Sequence, residues 1–188
     1  MRKKIFCMIL ILCCIVSLSA CSKKDNHVIV ADDEAFDAIL TDELNIAYTP
    51  TFLFYEEGKL KFATDGEYEP EKFDQLFNDA YTMSVEELEK TYAGSSEERA
   101  YKIEPIGTDI YNKLTTLDGK KLDLSKYKRV IIEVVQTTCP HCQNQMINNN
   151  AAIHEKYEDV LFVDYFIYND AETITTFLVE NNLLDTDK

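Results

Sequence analysis

Hydrophobic positions along the chain change period several times, and each change predicts an element. Val28-Ile29-Val30-Ala31 is a short apolar run, and Asp32 and Asp33 then open a segment with Phe36, Ile39, Leu40 and Leu44 at helical spacing, predicting a strand and then a helix. Thr49-Pro50 ends that pattern. Thr51-Phe52-Leu53-Phe54-Tyr55, Glu56-Glu57-Gly58-Lys59 and Leu60-Lys61-Phe62-Ala63 together predict a β-hairpin with a glycine-containing loop. Pro70 stands where a helix takes proline in its first turn, and Phe73, Leu76, Phe77, Ala80 and Tyr81 recur at one-faced helical spacing behind it.

Residues 83–104 are charge-rich and include Gly94-Ser95-Ser96, so they predict a connector, with one short helix opened by the capping pair Ser84 and Glu87. Leu114 to Leu124 alternates around Asp118-Gly119, a hairpin signal. Val130-Ile131-Ile132-Glu133-Val134-Val135 is the nearly continuous apolar run of a strand buried on both faces. Pro140 starts a helix whose expected core contacts are Met146, Ile147, Ile153 and Tyr157. Leu161 to Tyr168 predicts another strand, and Asp170 caps a last helix carrying Ile174, Phe177 and Leu178. Strands and helices alternate, which is the mark of an α/β class.

The first 20 residues follow a different logic. Arg2, Lys3 and Lys4 precede an apolar stretch from Ile5 to Val16, followed by Leu18-Ser19-Ala20-Cys21, a pattern that reads as an export signal. A membrane span wants about 20 apolar residues, and Ser17 and Ser19 dilute this one first. Leu-Ser-Ala-Cys resembles the lipobox of bacterial lipoproteins. The resemblance implies a signal peptide over 1–20, a mature start at lipidated Cys21, a tether over 21–26 and an extracytoplasmic protein anchored to the bacterial cell membrane by its acyl chains. Charge adds an exclusion: without the three basic residues of the signal, 16 Lys and Arg face 34 Asp and Glu, and a surface that acidic repels nucleic acid.

Of the six cysteines, Cys7, Cys13 and Cys14 leave with such a signal and Cys21 is consumed by lipid. Cys139 and Cys142 remain. One Cys-x-x-Cys pair with no further thiol makes reactive chemistry, not a disulfide framework, the reading for an exported domain. Cys139-Pro140-His141-Cys142 lies where a buried strand becomes a helix, which puts Cys139 at the N-cap. There the helix N-terminus, with its partial positive charge and unpaired N–H groups, favours a thiolate. Cys142, one turn on, is positioned to resolve a mixed disulfide. A partly positive His141 would stabilise the thiolate further. Glu133 interrupts the apolar strand six residues before Cys139, so it is expected to be protonated or paired, and able to pass a proton to Cys142.

Leu114–Leu124, the Val130–Gln136 strand and Thr138-Cys139-Pro140-His141-Cys142 resemble the first half of a thioredoxin-superfamily oxidoreductase. The hairpin is similar to the anchored TlpA/ResA branch and Cys-Pro-His-Cys to disulfide oxidases of the DsbA type. Glu133 matches the acid that the superfamily carries before its first cysteine, whereas Thr138 departs from the aromatic residue common there. The resemblance implies a thioredoxin-like three-layer α/β/α sandwich, no cofactor, and as partners the thiols and disulfides of exported proteins together with a redox partner. It also implies a cis-proline opposite the dithiol, preceded by a backbone group that pairs with substrate. Thr49-Pro50 and the strand that follows look like that segment, but they precede the dithiol.

Residues 105–188 thus supply the first four elements of a β-α-β-α-β-β-α order and residues 27–82 the last five, the middle strand and helix appearing twice. Three architectures satisfy this. The two segments close one sheet as a circular permutation, two chains exchange halves in a homodimer, or the chain holds two partial thioredoxin-like units. Two functions compete with thiol–disulfide exchange: zinc or copper binding or delivery through Cys139, Cys142 and either His154 or His141, and an inactive thioredoxin-like surface lipoprotein.

Overall fold

The computed structural model describes residues 26–31, 33–92 and 114–184. The proposed signal, Cys21 and the later part of the connector lie outside the described residues. Five strands form one mixed sheet: β1 (His27–Val30), β2 (Thr51–Glu56), β3 (Lys59–Asp65), β4 (Arg129–Val135) and β5 (Val160–Phe166), in the order β1-β5-β4-β2-β3. β1, β5 and β4 run parallel, and β4-β2 and β2-β3 are antiparallel. The two segments therefore meet inside one sheet of one chain. Leu53 of the first lies opposite Ile132 of the second, and Val30 of β1 is in register with Tyr165 of β5.

Alternation along the two central strands sends side chains to both faces, which is why they read as continuous apolar runs. On one face Val130, Ile132 and Val134 pack with Leu161, Val163 and Tyr165 beneath α1, which begins as Glu34–Ala38 and widens into a π turn over Ile39–Glu43. Asp33 caps α1 by accepting from the N–H groups of Ala35 and Phe36. The Leu114–Leu124 segment lies on this face too.

The opposite face is covered by α2 (Pro70–Thr82), α3 (Val85–Tyr92) and α4, which runs from Pro140–Asn144 through a π turn at Gln145–Asn149 into Asn150–Lys156. α2 begins at Pro70 and buries Phe73, Leu76, Phe77 and Ala80 against Phe52, Phe54 and Phe162. Ser84 and Glu87 form the reciprocal bonds of a capping box ahead of α3. α5 (Ala171–Glu180), capped by Asp170, packs Ile174, Phe177 and Leu178 against Val135, Cys142, Met146 and Phe166 at the carboxyl ends of β4 and β5. Among the described residues no helix is long and apolar enough to cross a membrane.

Two expectations change. The Leu114–Leu124 hairpin is reduced to single bridges, Thr115 with Lys121 and Thr116 with Val30, around a turn in which Gly119 takes φ +81°. Ile147 is 41% exposed and not a core contact. The buried stripe of α4 runs Cys142, Gln145, Met146, Asn149, Asn150, Ile153, so Ile147 falls one position off it. Polar Gln145, Asn149 and Asn150 hold core-facing places on that stripe, so apolar residues alone misplace it.

Candidate functional site

β4, the central strand, ends at Val135 on the carboxyl side of the sheet, and Thr137 and Thr138 form a short turn into α4. The Thr137 N–H donates to Asn169 Oδ1 at 3.0 Å, and the Gln143 side chain donates to the Thr137 carbonyl at 2.6 Å, so the turn is tied to both β5's exit and the helix. Cys139 is the N-cap, in extended conformation, with Pro140 in the first turn. Its sulfur accepts from the Cys142 N–H at 3.3 Å. Sequence and structure agree here because proline has no N–H to lose and its fixed φ suits a first helical position.

The two sulfurs occupy different surroundings. Cys139 is partly exposed and Cys142 is fully buried among Val135, Met146 and Phe166. Burial opposes ionisation of Cys139, but hydrogen bonds from Cys142, from the Thr49 side chain and from the His141 N–H outweigh it and hold its pKa below the ordinary thiol value. Burial first, and then the bond it makes to the Cys139 sulfur, push the Cys142 thiol up to about 12. The pair is thus one partly exposed thiol that ionises more readily than usual and one buried thiol held protonated.

Thr49 arrives from the other segment of the chain. Its carbonyl accepts from the Cys139 thiol at 3.3 Å across 90 positions of sequence, and the Thr49–Pro50 bond is cis. An open cleft of about 590 Å³ lies alongside, lined among others by Tyr48, Thr49, Pro50, Gly66, Glu67 and His141. His141 keeps three quarters of its side chain in solvent and reaches Glu67 with Nδ1 at 3.3 Å, while the Asn144 amide donates to the same carboxylate. Its backbone N–H, not its ring, is what reaches the Cys139 sulfur. No family model, no curated protein and no solved structure matches the chain.

Beneath α4 a polar chain crosses the core. The Tyr68 N–H donates to Gln145 Oε1 at 2.7 Å, Gln145 Nε2 to Asn150 Oδ1 at 2.9 Å, and Asn150 Nδ2 to Glu133 Oε2 at 2.6 Å. Glu133 is 3% exposed. Burial, and then the charge of Asp164, its register partner on β5, raise its carboxyl well above the usual range, only partly offset by the Asn150 bond. Burial also works against Asp164, but the charge and hydrogen bond of His27, 2.8 Å away, outweigh it, so Asp164 takes the negative charge and Glu133 the proton.

Gln145, Asn150, Asp164 and His27 had no place in the sequence reading. Their only signal was polarity at positions where the helix or strand period calls for apolar residues. His154, expected beside the cysteines if they bind metal, lies instead with His27. Its ring lies 4.5 Å from that of His27 and stacks on Phe162 at 4.2 Å. Cys139, Cys142 and His154 therefore do not assemble as one ligand set. Among the described residues the grouping able to hold a cation is His27, His154 and Asp164, and it includes neither cysteine.

Proposed function

We propose that the protein is a thiol–disulfide oxidoreductase with a thioredoxin-like fold in permuted order, anchored outside the cell by lipid on Cys21 and exchanging disulfides with exported proteins. One observation carries the reading: the N-cap sulfur of Cys139 sits between the Cys142 N–H and the Thr49 carbonyl that precedes a cis-proline, beside an open cleft. Helix start, cis-proline strand and buried acid on the preceding strand are the three parts that the resemblance calls for, drawn from both segments of the chain. The strand order also favours it, because β2 and β3 extend the sheet from β4 on the side of the dithiol's proline, and β5 and β1 extend it on the other.

The chemistry follows from the two pKa directions. The Cys139 thiolate attacks one sulfur of a substrate disulfide, the substrate S–S bond breaks, and the departing thiolate takes a proton. Cys142 then loses its proton, attacks the Cys139 sulfur of the mixed disulfide and releases the second substrate thiol. Two electrons have passed to the substrate and the protein holds a Cys139–Cys142 disulfide. The reverse sequence oxidises a substrate dithiol. In that reverse sequence Cys142 leaves as a thiolate, and Glu133, which holds a proton inside the strand, is the proposed group that supplies one to it.

Measuring the reduction potential of the pair against glutathione, with insulin reduction and refolding of scrambled ribonuclease as activity assays, tests the proposal. Turnover that disappears in Cys139→Ser supports it. A pair that neither equilibrates with glutathione nor turns over either substrate would leave an inactive surface lipoprotein.

A further inference from the structure

Away from the dithiol, three side chains from three elements converge. His27 comes from β1, Asp164 from β5 and His154 from the last turns of α4, and one ligand atom from each lies within 4.8 Å of the other two. His27 Nε2 and Asp164 Oδ2 are 2.8 Å apart. Zinc bonds to nitrogen and carboxylate oxygen are ~2.0–2.2 Å long, so tetrahedral ligands stand roughly 3.3–3.6 Å from one another. The His27–Asp164 pair is closer than that, and the 4.8 Å limit on the other two spacings lies above it, so all three ligand atoms are within reach of one ion.

A second observation comes from the carboxylate. Asp164 is 2% exposed, and its Oδ1 has no hydrogen-bond partner, although buried polar atoms are nearly always paired. An ion pair between His27 and Asp164 accounts for Oδ2 alone. It leaves Oδ1 orphaned and a second imidazole, His154, beside the first. A cation shared by the three removes both anomalies.

The surroundings suit a bound ion. The three residues line a pocket of about 220 Å³, walled also by Ile29, Met146 and Leu178, which leaves room for a fourth, exchangeable ligand. The Asn26 side chain donates to the carbonyls of His154 and Tyr157 at 3.1 and 3.0 Å, and the Asn26 carbonyl accepts from the Phe162 N–H at 2.7 Å. The backbone flanking two of the ligands is thereby fixed in place.

We propose that His27, His154 and Asp164 form a zinc site with three protein ligands and one open position, separate from the dithiol. Two imidazoles and one carboxylate form a donor set for a borderline divalent cation, neither the thiolate set of a soft ion nor the all-oxygen set of calcium or magnesium. Zinc there would also staple β1, a four-residue edge strand, to the strand and helix it packs against.

The test is zinc titration against a chromogenic chelator, using the mature chain with Cys139→Ser and Cys142→Ser so that the dithiol cannot bind metal. One equivalent of zinc is expected, with cobalt substitution giving the visible spectrum of a tetrahedral site. His27→Gln on that background should weaken zinc by about 100-fold or more, since even supporting residues around a metal are worth 10–100-fold. His154→Gln should do the same. If that variant does not fold, His27→Gln decides alone, because His27 is partly exposed and its folding is checked by circular dichroism. Failure of the double-serine protein to take up zinc, zinc uptake confined to the protein with both cysteines, or an affinity unmoved by His27→Gln would each overturn the proposal.

Discussion

The carbonyl of Thr49 accepts a hydrogen bond from the sulfur of Cys139 at 3.3 Å, across 90 positions of chain. The contact joins the first segment to the second at the point where the chemistry is proposed to occur. It exists only because β2 and β4 are neighbours, Thr51 being in register with Val134.

Reactivity should divide sharply between the two cysteines. Cys139 has a lowered pKa and Cys142 one pushed up to about 12, so alkylation near pH 7 should label Cys139 and spare Cys142. The rate should level off below the ordinary thiol pKa of about 8.5. Cys142→Ser should keep the first attack and trap a mixed disulfide, whereas Cys139→Ser should lose exchange altogether. Peptide mapping after a short pulse of iodoacetamide decides it, and faster labelling of Cys142 would exchange the two roles.

Both segments should unfold together. Leu53, from the first, is fully buried on the same face as Ile132, its opposite number on β4. Leu53→Ala should cost about 2–5 kcal/mol, as large-to-small changes in a packed core do. Urea unfolding followed by far-ultraviolet dichroism and by exposure of Cys142, in the second segment, should give one coincident midpoint, shifted equally by the substitution. Separate midpoints would mean two independent units.

Much of this architecture could be read from local pattern, because local pattern reports which face of an element is buried. The stripe Phe73, Leu76, Phe77 and Ala80, the proline start of α2, the Ser84–Glu87 box and the N-cap position of Cys139 all depend on residues a turn apart. Strand order does not. Nothing near Val130–Val135 tells that Thr51–Glu56 lies on one side of it and Val160–Phe166 on the other. The polar chain was hidden for a related reason: Gln145, Asn150 and Asp164 are tolerable in the core only through partners as distant as Tyr68, Glu133 and His27, which no window of sequence contains.

The anchor makes a separate prediction, on residues outside those described. Mass spectrometry of the membrane fraction should find a mature chain beginning at Cys21 and carrying diacylglycerol, and Cys21→Ala should release the protein from membranes or leave residues 1–20 attached. An unmodified N-terminus elsewhere would refute the lipid anchor without touching the dithiol.

Glu133 should leave its mark on how stability varies with pH. Its folded-state pKa is raised well above the usual value by burial and by Asp164, whereas in the unfolded chain it titrates near 4.3. The folded protein therefore holds a proton that the unfolded chain gives up. The contribution to stability is complete below about pH 4 and is lost as pH climbs toward the folded pKa, at about 1.4 kcal/mol for each unit between the two values. Glu133→Gln keeps an acceptor for the Asn150 amide but cannot ionise, so it lacks this term. Urea unfolding of the oxidised proteins at pH 4 and pH 7.5 should show the glutamine variant gaining stability relative to the natural chain over that interval. The same substitution removes the proposed proton donor to Cys142, so opening of the Cys139–Cys142 disulfide by a substrate thiol should slow while alkylation of reduced Cys139 does not. Stability curves that run parallel for the two proteins would mean that Glu133 ionises in the fold as it does in the unfolded chain, and the buried acid would then have no proton to hold.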